Sequence, residues 1–269
     1  MILLRALLLV ALTLPAVALA ANPFDSPLKV RHVRLSPDPQ NPAARRQVSC
    51  FYYRSIVVKQ VDYGEVGAER LSLLPVVSGN ATACEERQEV GEYVIPSARW
   101  SGYFEGVKAD YAFFNAPDGT NGGLGFMVLR LVDRKPVFED VAQHGMRSIE
   151  IHEGALQLLY ERVVQSTCSV LAEAPGCAEH ISQETGIAAA SLSRCAPSYQ
   201  AAKEAMARGR CTSQSSKKAD CLSQELGLLD AQKWNEAPSV VVYEVEVTLK
   251  RDSTMITHRS DALACRPAD

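Results

Sequence analysis

Eight cysteines constrain this chain more than any other feature: Cys50, Cys84, Cys168, Cys177, Cys195, Cys211, Cys221 and Cys265. No two of them form a C-x-x-C pair, and His180, the histidine nearest the cluster, has no second histidine at ligand spacing, so the pattern does not suit a metal. An even count that begins only after an export-type leader reads instead as a disulfide framework. Proximity suggests Cys50 with Cys84 and Cys168 with Cys265 as ties between strands. On the same reasoning Cys177 with Cys195 and Cys211 with Cys221 would close short helical loops.

The leader occupies residues 1–20. Arg5 precedes an uncharged apolar run from Ala6 to Val17, and Ala18-Leu19-Ala20 supplies small residues at alternate positions for a cut after Ala20. The run falls short of the roughly 20 residues that cross a bilayer, and no later apolar stretch approaches that length. The expected product is a soluble periplasmic or extracellular protein with no membrane span. Removing the leader takes away one basic residue and no acidic one, so the mature chain is slightly more acidic than the formal −3 of the whole. That balance argues against nucleic acid as a partner. Asn80-Ala81-Thr82 is a formal glycosylation acceptor, meaningful only in a eukaryotic host.

Residues 21–47 carry Pro23, Pro27, Pro37, Pro39 and Pro42, which deny the segment a long helix or a central strand and predict an extended arm. Within it Lys29–Leu35 suits a short edge strand guarded by charge. Residues 48–170 and 238–269 are rich in β-branched and aromatic runs and predict one β-rich domain. Val48–Asp62 reads as a strand, Leu71–Val77 as another, and Arg99–Glu105 with Asp110–Asn115 as a hairpin turning through Gly106-Val107-Lys108. Phe126–Val132, Val137–Val141, Ser148–His152 and Leu156–Val170 follow as strands. The clearest is Val240–Lys250, where Val241, Tyr243, Val245, Val247 and Leu249 share one face.

Between them, residues 171–237 turn to alanine, serine and lysine, and the period becomes helical. Ser198 suits the cap of a helix running to Arg208, and Leu222, Leu226 and Leu229 mark a second helical stripe. Helices this short are marginal in water by themselves, which explains why the cysteines concentrate here. The expected fold is α+β and β-rich: a large antiparallel sheet, as a sandwich or open barrel, with a disulfide-stapled helical insertion between late strands.

Chemistry-bearing patterns are few. Glu150 and His152 stand two apart on a strand, so both emerge on one face, and a carboxylate beside an imidazole can share a proton or a metal. The competing reading is the solvated face of a half-buried strand. The turn Asp118–Gly123, with Asn115 before it, offers oxygen ligands but lacks the alternating acids and bidentate glutamate of a calcium loop, and reads as a plain turn. His144 beside Gly145 likewise reads as a turn residue. There is no G-x-S-x-G elbow and no glycine pattern for a nucleotide, so no cofactor is expected. The basic arm residues Lys29, Arg31, His32, Arg34, Arg45 and Arg46 read as a solvated surface. Trp100 and Trp234 are the only tryptophans, thin provision for a sugar platform.

The functional expectation is a non-catalytic binding or inhibitor-like module of the envelope, with a protein or envelope polymer as partner. The alternative is a hydrolase of an envelope polymer working through Glu150 and His152. It requires those two groups to meet a third in a deep cleft.

Overall fold

A computed structural model describes residues 22–76, 83–173, 176–211 and 218–268. The leader, residues 1–20, and the acceptor Asn80–Thr82 lie outside the described residues. Among the described residues, twelve strands form two antiparallel sheets. The first has five in chain order: β1 (Lys29–Arg34), β2 (Gln47–Tyr52), β3 (Ile56–Asp62), β4 (Arg70–Pro75) and β5 (Tyr93–Ile95). The second is a seven-stranded meander of β6 (Tyr103–Lys108), β7 (Tyr111–Thr120), β8 (Gly123–Arg130), β9 (Lys135–His152), β10 (Ala155–Gln165), β11 (Ser239–Lys250) and β12 (Ser253–Pro267).

The sheets pack face to face through one apolar layer. Ile56, Val58, Leu71 and Leu73 of the first meet Val107, Ala112, Phe114, Met127 and Leu129 of the second, all buried. Alternation along β7 and β8 then sends Phe113, Phe126 and Val128 to the other face of the larger sheet, which holds a second core with Leu156, Leu158, Tyr160, Val245 and Val247. A Val or Leu side chain fully buried in such a layer contributes about 1.5–3 kcal/mol.

The helical insertion separates β10 from β11 and comprises α1 (Gly176–Thr185), α2 (Ala189–Leu192), α3 (Cys195–Cys211) and α4 (Lys218–Ala231). Ile181, Leu192 and Tyr199 bury completely against the second core, and the Tyr199 hydroxyl bonds Ser239 Oγ at the start of β11. Docking, rather than propensity, therefore holds these helices.

Several expectations are corrected. Val48–Asp62 is two strands, because the exposed Arg54-Ser55 closes a tight hairpin in which the Tyr53 amide donates to the Ile56 carbonyl at 2.8 Å. The hairpin placed at Gly106 turns instead at Ala109-Asp110, with Ala109 at φ 49°. Gly106 lies within β6, where a Cβ would come within 2.3 Å of the Phe24 ring. Val137–Val141 and Ser148–His152 belong to one bulged strand, β9. Helix α3 begins at Cys195, before Ser198, because Pro197 falls in the first turn, where a missing amide is harmless.

Four disulfides join Cys50–Cys84, Cys168–Cys177, Cys195–Cys265 and Cys211–Cys221. The first and last follow proximity. The expected Cys168–Cys265 and Cys177–Cys195 bridges do not form. Strand β11 lies between β10, which Cys168 follows, and β12, which carries Cys265. Two strand spacings are roughly 9–10 Å, beyond the reach of about 7 Å between α-carbons that a disulfide allows. Cys168 instead takes Cys177 in the first turn of α1, and Cys265 takes Cys195, which pins the start of α3 onto β12.

Candidate functional site

The long strand β9 organises the site. Its first half pairs with β8, from Arg130↔Lys135 to Leu124↔Ala142, and its second half with β10, from Met146↔Tyr160 to His152↔Ala155. Between Ala142 and Met146 it carries more residues than the Arg162–Tyr160 stretch it faces, so Gln143-His144-Gly145 bow outward, with Gly145 at φ 78°. A second irregularity falls at Arg147, because Met146↔Tyr160 is followed by Ser148↔Leu159. It reverses the alternation. Even-numbered Phe138 and Ala142 pack into the second core before it, and odd-numbered Ile149 after it.

Where β9 bows away, a cavity of about 410 Å³ opens on the second core's face of the sheet. Its floor is apolar: Phe113 from β7, Leu124 and Phe126 from β8, Ala142 and Met146 from β9. The arm supplies a wall. Phe24 packs edge-on against Phe113 with ring centroids 5.2 Å apart and sits over Gly106. The Asp25 amide donates to the Val107 carbonyl at 2.8 Å, while Asp25 Oδ2 accepts from the Ala109 amide at 2.7 Å. Residues 22–25 are thus fastened along the edge of β6.

The rim is polar. Asn115 Nδ2 donates to Glu105 Oε2 at 2.6 Å. Glu105 is open to solvent at the mouth, yet lost hydration against the cavity holds its carboxyl above the usual carboxylate range. No cation is paired with it among the described residues. Exposed His144 stands on the bowed segment. The Arg147 guanidinium is committed to Glu161, at 2.7 Å, and to Glu244, which alternation places on the opposite face from Tyr160 and Tyr243.

Deeper in the same face, a polar network crosses three strands. Asp140 of β9 accepts from the Tyr160 hydroxyl at 2.5 Å and pairs with Arg162 Nε at 2.9 Å, and Arg162 reaches the Tyr243 hydroxyl at 3.4 Å. Burial, reinforced by Asp140, drives the Tyr160 phenol far above its ordinary value, and burial raises Tyr243 as well. Burial would lower Arg162, but Asp140 together with Tyr243 and Tyr160 outweighs it and leaves the guanidinium above its usual value. Both phenols stay protonated and Arg162 stays charged near neutrality, so these groups hold the sheet together rather than exchange protons. Tyr243 stacks on His258 at 5.0 Å, and His258 Nε2 lies 2.9 Å from the Thr185 carbonyl at the end of α1. The network ends at a smaller cavity of about 240 Å³ between insertion and sheet.

Glu150 and His152 lie elsewhere. Both follow the Arg147 bulge, face away from the second core and are exposed; Glu150 Oε1 accepts from Ser148 Oγ at 2.8 Å. Neither lines the larger cavity. The Asp118–Gly123 segment is the end of the β7–β8 hairpin, turning at Asn121-Gly122 with both φ positive. Arg266 bonds the Asn121 carbonyl and fills the space over Gly122, a placement that opposes a cation there. Among the described residues no three His, Cys, Asp or Glu side chains gather as a metal set.

Sequence reasoning missed Glu105 and Arg147 and read His144 as a turn residue. The available signal was glycine inside strands, since Gly106 and Gly145 mark a close approach and a bulge. Compared with protein-family models, curated proteins and solved structures, the chain matches none of them, and its functional reading rests on this geometry.

Proposed function

We propose that this chain is a non-catalytic binding module, exported to the envelope or beyond, that seats a small molecule or a single projecting group of a larger partner in the cavity under Phe24. The observation that carries this reading is the cavity itself: about 410 Å³ with an aromatic and aliphatic floor and a few polar groups at one rim. Such a composition suits recognition, in which apolar area supplies affinity and a few polar atoms supply orientation. Four disulfides support an exported protein. Glu150 and His152 are exposed and line neither cavity, which gives the hydrolase reading no support.

The test is a fragment screen on the oxidised protein by NMR, with Leu124→Trp as the variant that fills the cavity from the β8 wall. Bound fragments are expected to shift the amides of Phe113, Leu124 and Ala142 and to lose at least tenfold in affinity in the variant. Shifts that cluster elsewhere, or release of soluble fragments from an envelope polymer by the purified protein, would overturn the proposal.

A further inference from the structure

Building on that reading, we infer that the cavity's ligand is a small organic ammonium, its carbon body against Phe24, Phe113 and Phe126 and its charged head at Glu105. Three aromatic rings and one carboxylate converge on one space. The face of an aromatic ring carries negative charge that attracts a cation, and the attraction grows when water is excluded. Glu105 is held by Asn115 alone, with no cation among the described residues. Arg147, the one strongly basic side chain at the rim, is bound to Glu161 and Glu244. A neutral ligand would make no use of the carboxylate's charge, and an anion would be repelled by it. An ammonium satisfies the carboxylate and uses the rings at the same time. The raised carboxyl of Glu105 agrees with this, since a bound cation restores what lost hydration removes.

The experiment titrates the oxidised protein at pH 7 and fixed ionic strength with phenethylammonium and, separately, with neutral phenethyl alcohol of nearly the same shape. The ammonium is expected to bind at least tenfold more tightly, and Glu105→Gln to erase that preference while alcohol binding stays within twofold. Phe24→Leu keeps an apolar wall but removes a ring, and is expected to weaken the ammonium several-fold more than the alcohol. Glu150→Gln, outside the cavity, is expected to change neither. Melting curves that match the parent establish that each variant is folded. Equal binding of both probes would overturn the ammonium inference and leave the binding cavity standing. Failure of both probes to bind at millimolar concentration would overturn the inference, and with the fragment screen also silent it would remove the binding reading too.

Discussion

Glu92 and Glu105 are glutamates of opposite fate, one on each sheet. Glu92 ends the segment 83–92, which covers the outer face of the five-stranded sheet, and its carboxylate is buried there. Its oxygens accept from Lys59 Nζ at 2.6 Å, Ser72 Oγ at 2.5 Å and the Glu89 amide at 2.7 Å, and Lys59 Nζ donates again to the Arg87 carbonyl at 2.9 Å. The carboxylate is 0 % exposed and the ammonium 1 %. Glu105, at the mouth of the cavity in the larger sheet, has one amide donor and, among the described residues, no cation. A carboxylate completed by its own chain fastens the fold. One left incomplete beside aromatic walls waits for a partner that the chain does not supply. On the proposed function the first region is structure and the second is recognition, and three measurements can break or sharpen that division.

The largest effect is expected from Lys59→Met. It takes from the buried Glu92 the nearer of its two cations and leaves only Arg70 Nε, at 3.7 Å; breaking a buried pair by removing one partner costs about 3–5 kcal/mol. Adding Glu92→Leu removes the orphaned charge and is expected to restore much of the loss. Denaturant midpoints of the two single variants and the double read the coupling. If Lys59→Met costs no more than about 1 kcal/mol, the value of an exposed pair, the clamp is not sealed and the contrast with Glu105 disappears.

The Cys50–Cys84 bridge anchors the start of the same loop. Its sequence separation is 34, against 10 for Cys211–Cys221 in the insertion. On the loop-entropy account the longer closure contributes more, with native bridges typically near 2–4 kcal/mol. Replacing Cys50 and Cys84 by alanine is therefore expected to lower stability more than replacing Cys211 and Cys221, and to raise hydrogen exchange from Glu85 to Glu92. The reverse ranking would mean that the ion pair alone fixes the loop.

What the sequence disclosed, and what it did not, divides along the same lines. The Val241-to-Leu249 alternation fixes β11 because every second residue meets one apolar layer, and that pattern is local. The helical insertion is equally local, a change of composition and period over residues 171–237. Lys59 follows Ile56-Val57-Val58 in β3 and is buried all the same, because a loop tied down at Cys84, far along the chain, covers it. Cysteine pairing failed where strand order mattered, since nothing local puts β11 between β10 and β12. Glu150 and His152 do share a face, as spacing says. The bulge at Arg147 decides which face, and pairing with β10 creates that bulge. Glu105 was legible only through its neighbour Gly106, a glycine that makes room for a ring 82 positions earlier, at Phe24.

The smallest effect carries the sharpest test, because the two carboxylates bend the pH dependence of stability in opposite senses. Burial would raise Glu92, but the bonds from Lys59, Ser72 and the Glu89 amide outweigh it and leave the folded carboxyl below the ordinary 4.5. Its contribution is therefore present above 4.5 and lost as pH falls through the lower folded value. Glu105 is raised by lost hydration, so its contribution is present below 4.5 and lost as pH rises through the higher folded value; at neutral pH its charge opposes folding. Urea midpoints between pH 3 and pH 7 should show Glu92→Gln flattening the acid side of the profile, whatever its overall level. Glu105→Gln should raise the midpoint slightly at pH 7 and leave it unchanged at pH 3. The solvent that reaches Glu105 keeps this gain small. A loss at pH 7 on removing the Glu105 charge would mean that a cation of the chain already satisfies it, and the cavity would then have no charge left to offer a ligand.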